Sequence, residues 1–162
     1  MTSDTFASKN YGAVYCGPAG LSQRNRLKKI AEAGIYPGYL MRVHTDKFLY
    51  LTKSSDKAFA GVACDMEGYD IDTVYAINTP IEYYGKGSKN RVYIFLVAAS
   101  PAPAIEDGEE IVCSATDGMG MSFAYTDATD ITDTTAFTHV GYADELVTGS
   151  TSDNKLLAVI LS

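Results

Sequence analysis

Arg91-Val92-Tyr93-Ile94-Phe95-Leu96-Val97-Ala98-Ala99 is the stretch on which the fold turns. Its β-branched and aromatic side chains suit a pleated, packed surface better than a helix. Gly85-Lys86-Gly87-Ser88-Lys89-Asn90 precedes it, and Pro101 and Pro103 follow it. Gly-rich polar clusters mark turns, and proline lacks the donor that would let a strand continue. An apolar run of strand length between two such signals reads as a buried strand.

The same punctuation recurs on both sides. Upstream, Pro37-Gly38 predicts a turn before a strand at Tyr39–Val43, and Asp46-Lys47 a tight turn into Phe48–Leu51. Ser54-Ser55-Asp56 breaks the chain before Ala58–Cys64, an acidic loop runs from Asp65 to Asp72, and Pro80–Tyr84 is a short strand. Downstream, Glu110–Ser114 and Met121–Tyr125 flank Asp117-Gly118, a hairpin-like signal. Phe137–Ala143 and Leu156–Leu161 close the pattern, separated by Gly149-Ser150-Thr151-Ser152-Asp153. Many short strands at regular spacing predict a mainly β protein, a small barrel or sandwich of short antiparallel strands. No internal repeat stands out.

The start of the chain reads differently. Residues 1–20 are small, polar and rich in Gly and Ser, the composition of an extended N-terminal arm. Leu21 to Ala33 predicts one helix, because Leu27, Ile30 and Ala31 share the i, i+3, i+4 spacing and Gly34 supplies a stop. Lys28 and Lys29 would lie near its C-terminal end, where the helix dipole favours cations. The expected organisation is an arm at 1–20, a short basic helix at 21–34 and a β-rich domain at 35–162.

Composition bounds the function. The 162 residues suit one domain, with 46% hydrophobic and 20% charged residues, a globular balance. Net charge is −7, which argues against nucleic acid as a partner. The charge is uneven: Arg24, Arg26, Lys28 and Lys29 crowd together, and from Pro101 onward Lys155 is the only Lys or Arg. Cys16, Cys64 and Cys113 are odd in number and far apart, which favours buried thiols over a disulfide framework or zinc knuckle. No secretory leader and no apolar stretch of bilayer length is visible, so synthesis in a host cytoplasm without membrane insertion is expected.

A search for chemistry returns little, and no enzyme, metal or cofactor is expected. There is no G-x-S-x-G elbow and no G-x-G-x-x-G, and Gly85-Lys86-Gly87-Ser88 precedes a strand where a phosphate loop precedes a helix. His44 and His139 read as packed or surface histidines without catalytic partners. Asp65, Glu67, Asp70 and Asp72 lack the order of an EF-hand loop, whereas Asp127, Asp130 and Asp133 recur every three residues and a loop could bring their oxygens together on calcium; both clusters read first as solvated acids.

The order of short motifs resembles the small capsid decoration, or cement, proteins of tailed phages. Ile35-Tyr36-Pro37-Gly38-Tyr39-Leu40 is similar to that family's I-x-P-G-x-L/V opening. Ala63-Cys64-Asp65 and then Ile71-Asp72-Thr73-Val74-Tyr75-Ala76 resemble its acidic strand end and I-D-x-x-Y segment. Arg91-Val92-Tyr93-Ile94-Phe95 corresponds to a Val-rich strand and Ile105-Glu106-Asp107-Gly108-Glu109 to an I-x-x-G-[DE] turn. Val140-Gly141-Tyr142-Ala143-Asp144-Glu145 matches V-G-x-A-x-[DE], and a final alternating strand runs from Leu157 to Leu161. The match spans residues 35–162, with Ile77-Asn78-Thr79-Pro80 where the family often has Gly-Asp, and an apparent insertion at Thr126–Thr135.

The resemblance implies a structural virion protein on the outer surface of an expanded capsid. It implies the major capsid protein as partner, and self-association, commonly as a trimer. Candidate capsid contacts are Phe6, Tyr11, Val14 and Tyr15 in the arm, which could add a strand to a capsid sheet edge. Arg24, Arg26, Lys28 and Lys29 of the basic helix are the second set, facing an acidic shell surface. Rival readings are a carbohydrate- or host-binding module displaying Tyr83-Tyr84 and Tyr125, or another minor head or tail component.

Overall fold

A computed structural model describes residues 14–16, 28–52, 58–66, 73–96, 105–114, 116–123, 138–146 and 155–162. The molecule is mainly β, as the turn spacing predicts. Its strands are β1 (Lys28–Lys29), β2 (Leu40–Val43), β3 (Leu49–Leu51), β4 (Gly61–Ala63), β5 (Pro80–Ile81) and β6 (Tyr83–Gly85) in the first half. The second half supplies β7 (Arg91–Leu96), β8 (Glu110–Cys113), β9 (Gly120–Ser122), β10 (His139–Ala143) and β11 (Lys155–Leu161).

The second half closes into a five-stranded barrel in the order β10-β11-β7-β9-β8, with β8 returning to β10. Its long seam is β7 against β11, antiparallel from Lys155↔Leu96 to Ile160↔Arg91. Alternation along these strands turns Val92, Ile94, Leu157, Val159 and Leu161 into the core, where Ile111, Cys113 and Val140 join them. One junction departs from the antiparallel expectation: β7 meets β9 in parallel, through the single pair Leu96↔Gly120.

The first half forms a four-stranded sheet, β3-β2-β4-β6, that is apolar on both faces. Leu40, Val62 and Tyr84 stand in register across β2, β4 and β6 and pack into the barrel core. Their neighbours Met41, Ala63 and Tyr83 point the other way, into a second core with Ile30, Ile35, Tyr75 and Ile81. The period-two alternation of a strand thus serves two cores at once. The ribbon of β1 paired with β5 lies next to this second core, contributing Ile81 and, just after β1, Ile30.

The turns follow their residues. Tyr39 N–H donates to Tyr36 O across Pro37-Gly38, and Gly38 takes φ +91° with Phe95 and the Tyr93 carbonyl close above it. Proline presets the second position of such a turn and glycine alone accepts the third without strain. Gly118, at φ +76°, leaves no room for a Cβ against Leu51 and Tyr39, and its carbonyl accepts from Leu40 N–H. This turn therefore ties the barrel to the sheet.

One expectation is corrected. The helix drawn over Leu21–Ala33 does not reach its second half: Lys28 and Lys29 form β1, and Ile30 bridges Leu49 in parallel. Residues 21–27 lie outside the described residues. Around Ile30 the backbone is bonded on both sides, with Ile30 N–H to Thr79 O, Asn78 N–H to Ile30 O and Ala31 N–H to Leu49 O. Those tertiary bonds outweigh a short apolar stripe whose helix propensity is worth only tenths of a kcal/mol per residue, about 0–0.7. The strand at Pro80–Tyr84 is also divided, into β5 and β6, which serve different sheets.

Candidate functional site

Two places gather polar side chains around the barrel. The first is the end of the N-terminal arm. Tyr15 bridges Val92 in antiparallel fashion, on the edge of β7 that β11 does not use. Tyr93 N–H donates to Val14 O at 2.8 Å, and Cys16 N–H donates to Arg91 O at 3.0 Å. Val14 N–H is held by Asp65 Oδ1 at 3.0 Å. The Arg91 guanidinium donates from Nη1 to Cys16 O at 2.9 Å, from Nη2 to Asp144 O at 3.3 Å, and from Nε to the Asp144 carboxylate. The Tyr15 ring stacks on Tyr84 with centroids 5.9 Å apart, and Val14 is 0% exposed inside the barrel core.

The candidate contacts are therefore not equivalent. Val14 is a core residue and Tyr15 lies against the protein's own sheet, so residues 14–16 of the arm already pair with β7 in cis. Phe6, Tyr11, Arg24 and Arg26 lie outside the described residues. Lys28 is half-buried and Lys29 exposed, on the β1–β5 ribbon rather than on a helix. Asp65 is committed to Val14, while Glu67, Asp70, Asp72, Asp127, Asp130 and Asp133 lie outside the described residues. Cys64 and Cys113 are buried and Cys16 is half-buried.

The second place is the outer wall of the barrel. His139 Nδ1 lies 2.8 Å from Glu110 Oε1, and His139 Nε2 is hydrogen-bonded to Ser162 Oγ. His139 lies on β10 and Glu110 on β8, and Ser162 directly follows β11. A register shift between His139 and Gly141 marks a bulge in β10. In a regular strand, residues 139 and 142 would face opposite sides. The bulge lets the His139 and Tyr142 rings meet edge to face at 5.2 Å and 61°. Gly141 sits where a Cβ would run into the Ile160 carbonyl and crowd Val159 at 2.9 Å, so glycine lets β10 lie close against β11. Ser162 follows core-facing Leu161, so alternation turns it outward, and its N–H donates to Val140 O at 3.3 Å.

His139 thus has hydrogen-bond partners that the sequence did not announce. Nothing in the separate segments announces that Glu110, His139 and Ser162 meet, because register and a bulge bring them together. His44 has plainer surroundings on the β2–β3 hairpin: Thr45 Oγ1 at 3.3 Å, Asp46 at 3.7 Å and the Tyr50 ring at 5.1 Å. Asp46 also accepts from Tyr50 O–H and Phe48 N–H, and these bonds, with Tyr50 the leading one, hold its carboxyl below the usual range. Tyr83 and Tyr84, read above as displayed aromatics, are buried, and Tyr125 lies outside the described residues.

No helix among the described residues is long and apolar enough to cross a membrane. No cluster of metal-binding side chains occurs among them. No protein-family model matches the chain, and no curated protein sequence is similar to it.

Proposed function

We propose that this protein is a structural component of a tailed-phage virion that binds the outside of the expanded capsid and reinforces it. The observation that carries the reading is the ordered run of family-like motifs, whose segments coincide with structural junctions. Ile35–Leu40 contains the Pro37-Gly38 turn, Ile105–Glu109 the turn closed by Glu109 N–H to Glu106 O, and Val140–Glu145 most of β10. A small rigid barrel with a strand-forming arm suits attachment through many weak, repeated contacts, because a second contact becomes intramolecular once the first is made. Trimers over three-fold points of the shell are the assembly this reading favours. Reinforcement of this kind requires no chemistry.

The arm remains the proposed capsid contact, through Phe6 and Tyr11, with Val14 to Cys16 as its root on β7. The glycan-binding alternative loses its Tyr83-Tyr84 platform, because both rings are in the cores.

Co-sedimentation with expanded shells of the phage that carries the protein tests the proposal. Saturable binding in a ratio set by capsid symmetry is expected, and truncation of residues 2–11 should abolish it while leaving Val14 in place. Absence of binding to expanded shells would overturn the decoration role.

A further inference from the structure

The chain Ser162 Oγ to His139 Nε2, and His139 Nδ1 to Glu110 Oε1, has the connectivity of a nucleophile, a general base and an orienting carboxylate. Three features set it apart from an incidental surface hydrogen bond. Glu110 and His139 lie on two barrel strands and Ser162 directly follows a third, its N–H bonded to Val140 O at 3.3 Å. A bulge in β10 brings the imidazole onto the side of the strand that carries Tyr142, and bulges recur where a strand must re-aim a functional side chain. The Tyr142 ring packs edge to face on the imidazole and is itself 47% exposed, leaving an exposed aromatic surface beside the imidazole. The His139 and Glu110 side chains are 29% and 39% exposed, so the relay is open to a ligand from solvent.

We propose that Ser162 is an acyl-accepting nucleophile, activated by His139 and acting on small carboxylic esters, an activity independent of any role on a capsid. As the bond forms between Ser162 Oγ and the ester carbonyl carbon, the hydroxyl proton passes to His139 Nε2. The ester C–O bond then breaks, and the leaving oxygen takes that proton from His139. Water repeats the sequence on the acyl-serine: its proton goes to His139, a carboxylic acid departs, and Ser162 regains its hydroxyl. Glu110 is a positioning residue; it accepts the Nδ1 proton's hydrogen bond, so that Nε2 faces Ser162 with a free lone pair.

The test uses the full chain with two probes, a fluorophosphonate and p-nitrophenyl acetate, and mass spectrometry to map the modified residue. The expected result is modification at Ser162 ahead of every other serine, and its loss in Ser162→Ala. His139→Gln should slow both reactions about 100-fold, the scale of a lost general base. Glu110→Gln should slow them less, with Glu110→Asp recovering part of the rate and thermal unfolding of all the variants unchanged within about 4 °C, the scale of ~1 kcal/mol in a domain of this size. Modification spread evenly over the surface serines overturns the proposal, and so does a Ser162 rate that His139→Gln leaves intact.

Discussion

The two edges of β7 are built in opposite ways. On one edge β11 runs antiparallel for the whole strand, and alternate residues of both strands enter one core. On the other edge β9 touches only at Leu96↔Gly120, and Val14 to Cys16 cover the stretch around Val92. The first edge is held by apolar burial, the second by a set of directed bonds from Asp65, Arg91 and the Tyr93 amide. Burial is spread over many side chains and is hard to undo at one point. A short paired segment depends on each of its few bonds, and such segments open first. The barrel is therefore closed by one permanent seam and one that can be loosened singly.

Leu157→Ala should give the largest effect and marks the strong side. Leu157 is 0% exposed and paired with Ile94, also 0% exposed, so truncation leaves a cavity between two fixed strands. A loss of about 2–5 kcal/mol in denaturant unfolding is expected. A loss below 1 kcal/mol, roughly the smallest core effect, would mean that β7 and β11 can collapse onto each other, and the contrast between the edges would fail.

Gly141→Ala comes next. The new methyl would meet the Ile160 backbone and Val159 on the neighbouring strand, so β10 or β11 must shift. Overpacking of this kind costs about 1–3 kcal/mol. A shift of β10 should also move His139 relative to Tyr142, which a change in histidine ring chemical shifts would report. Unchanged shifts with full stability would show that the close approach of β10 and β11 does not need its glycine.

How much of this was legible beforehand divides along the same line. β7, β8, β10 and β11 could be read because each is apolar at strand length and bounded by turn residues. The turns at Pro37-Gly38, Gly85–Ser88 and Asp117-Gly118 close with hydrogen bonds where Gly and Pro place them. Local chemistry decides such features, so local sequence reports them. Lys28 and Lys29 misled because their strand is made by Pro80, Ile81 and Leu49, none of which is near in sequence. The docking of Val14 was hidden in a polar arm, where a single valine carries no period. The meeting of Glu110, His139 and Ser162 depends on strand register and a one-residue shift, which residue types alone do not encode.

The weak edge is probed first through Val14→Ala. Val14 is fully buried, and removing its two methyl groups should cost about 1.5 kcal/mol, near 0.8 kcal/mol per carbon. Asp65→Ala, which deprives the Val14 amide of its acceptor, should cost about 1–2 kcal/mol. Both should speed amide exchange at Tyr93 and Cys16 while leaving the β7–β11 amides protected. If exchange rises equally on both edges, the arm and the barrel unfold as one unit and the two seams are not separable.

Arg91→Lys is the finest of these tests. The guanidinium reaches three acceptors at once: the Asp144 carboxylate, the Asp144 carbonyl and Cys16 O. A lysine ammonium keeps the charge but lacks the planar fork, so it cannot hold the arm and Asp144 together. Both partners are about a third exposed, and a pair of that kind contributes little on its own, roughly 0–1 kcal/mol. The global loss should therefore be under about 1 kcal/mol, but the exchange rate at Cys16 should rise, because its carbonyl and amide share Arg91 as partner. The difference between variant and wild type should also shrink as salt is raised, since the pair is partly screened. A large, salt-independent loss would instead place Arg91 among the residues that hold the barrel itself, moving it from the weak edge of β7 to the strong one.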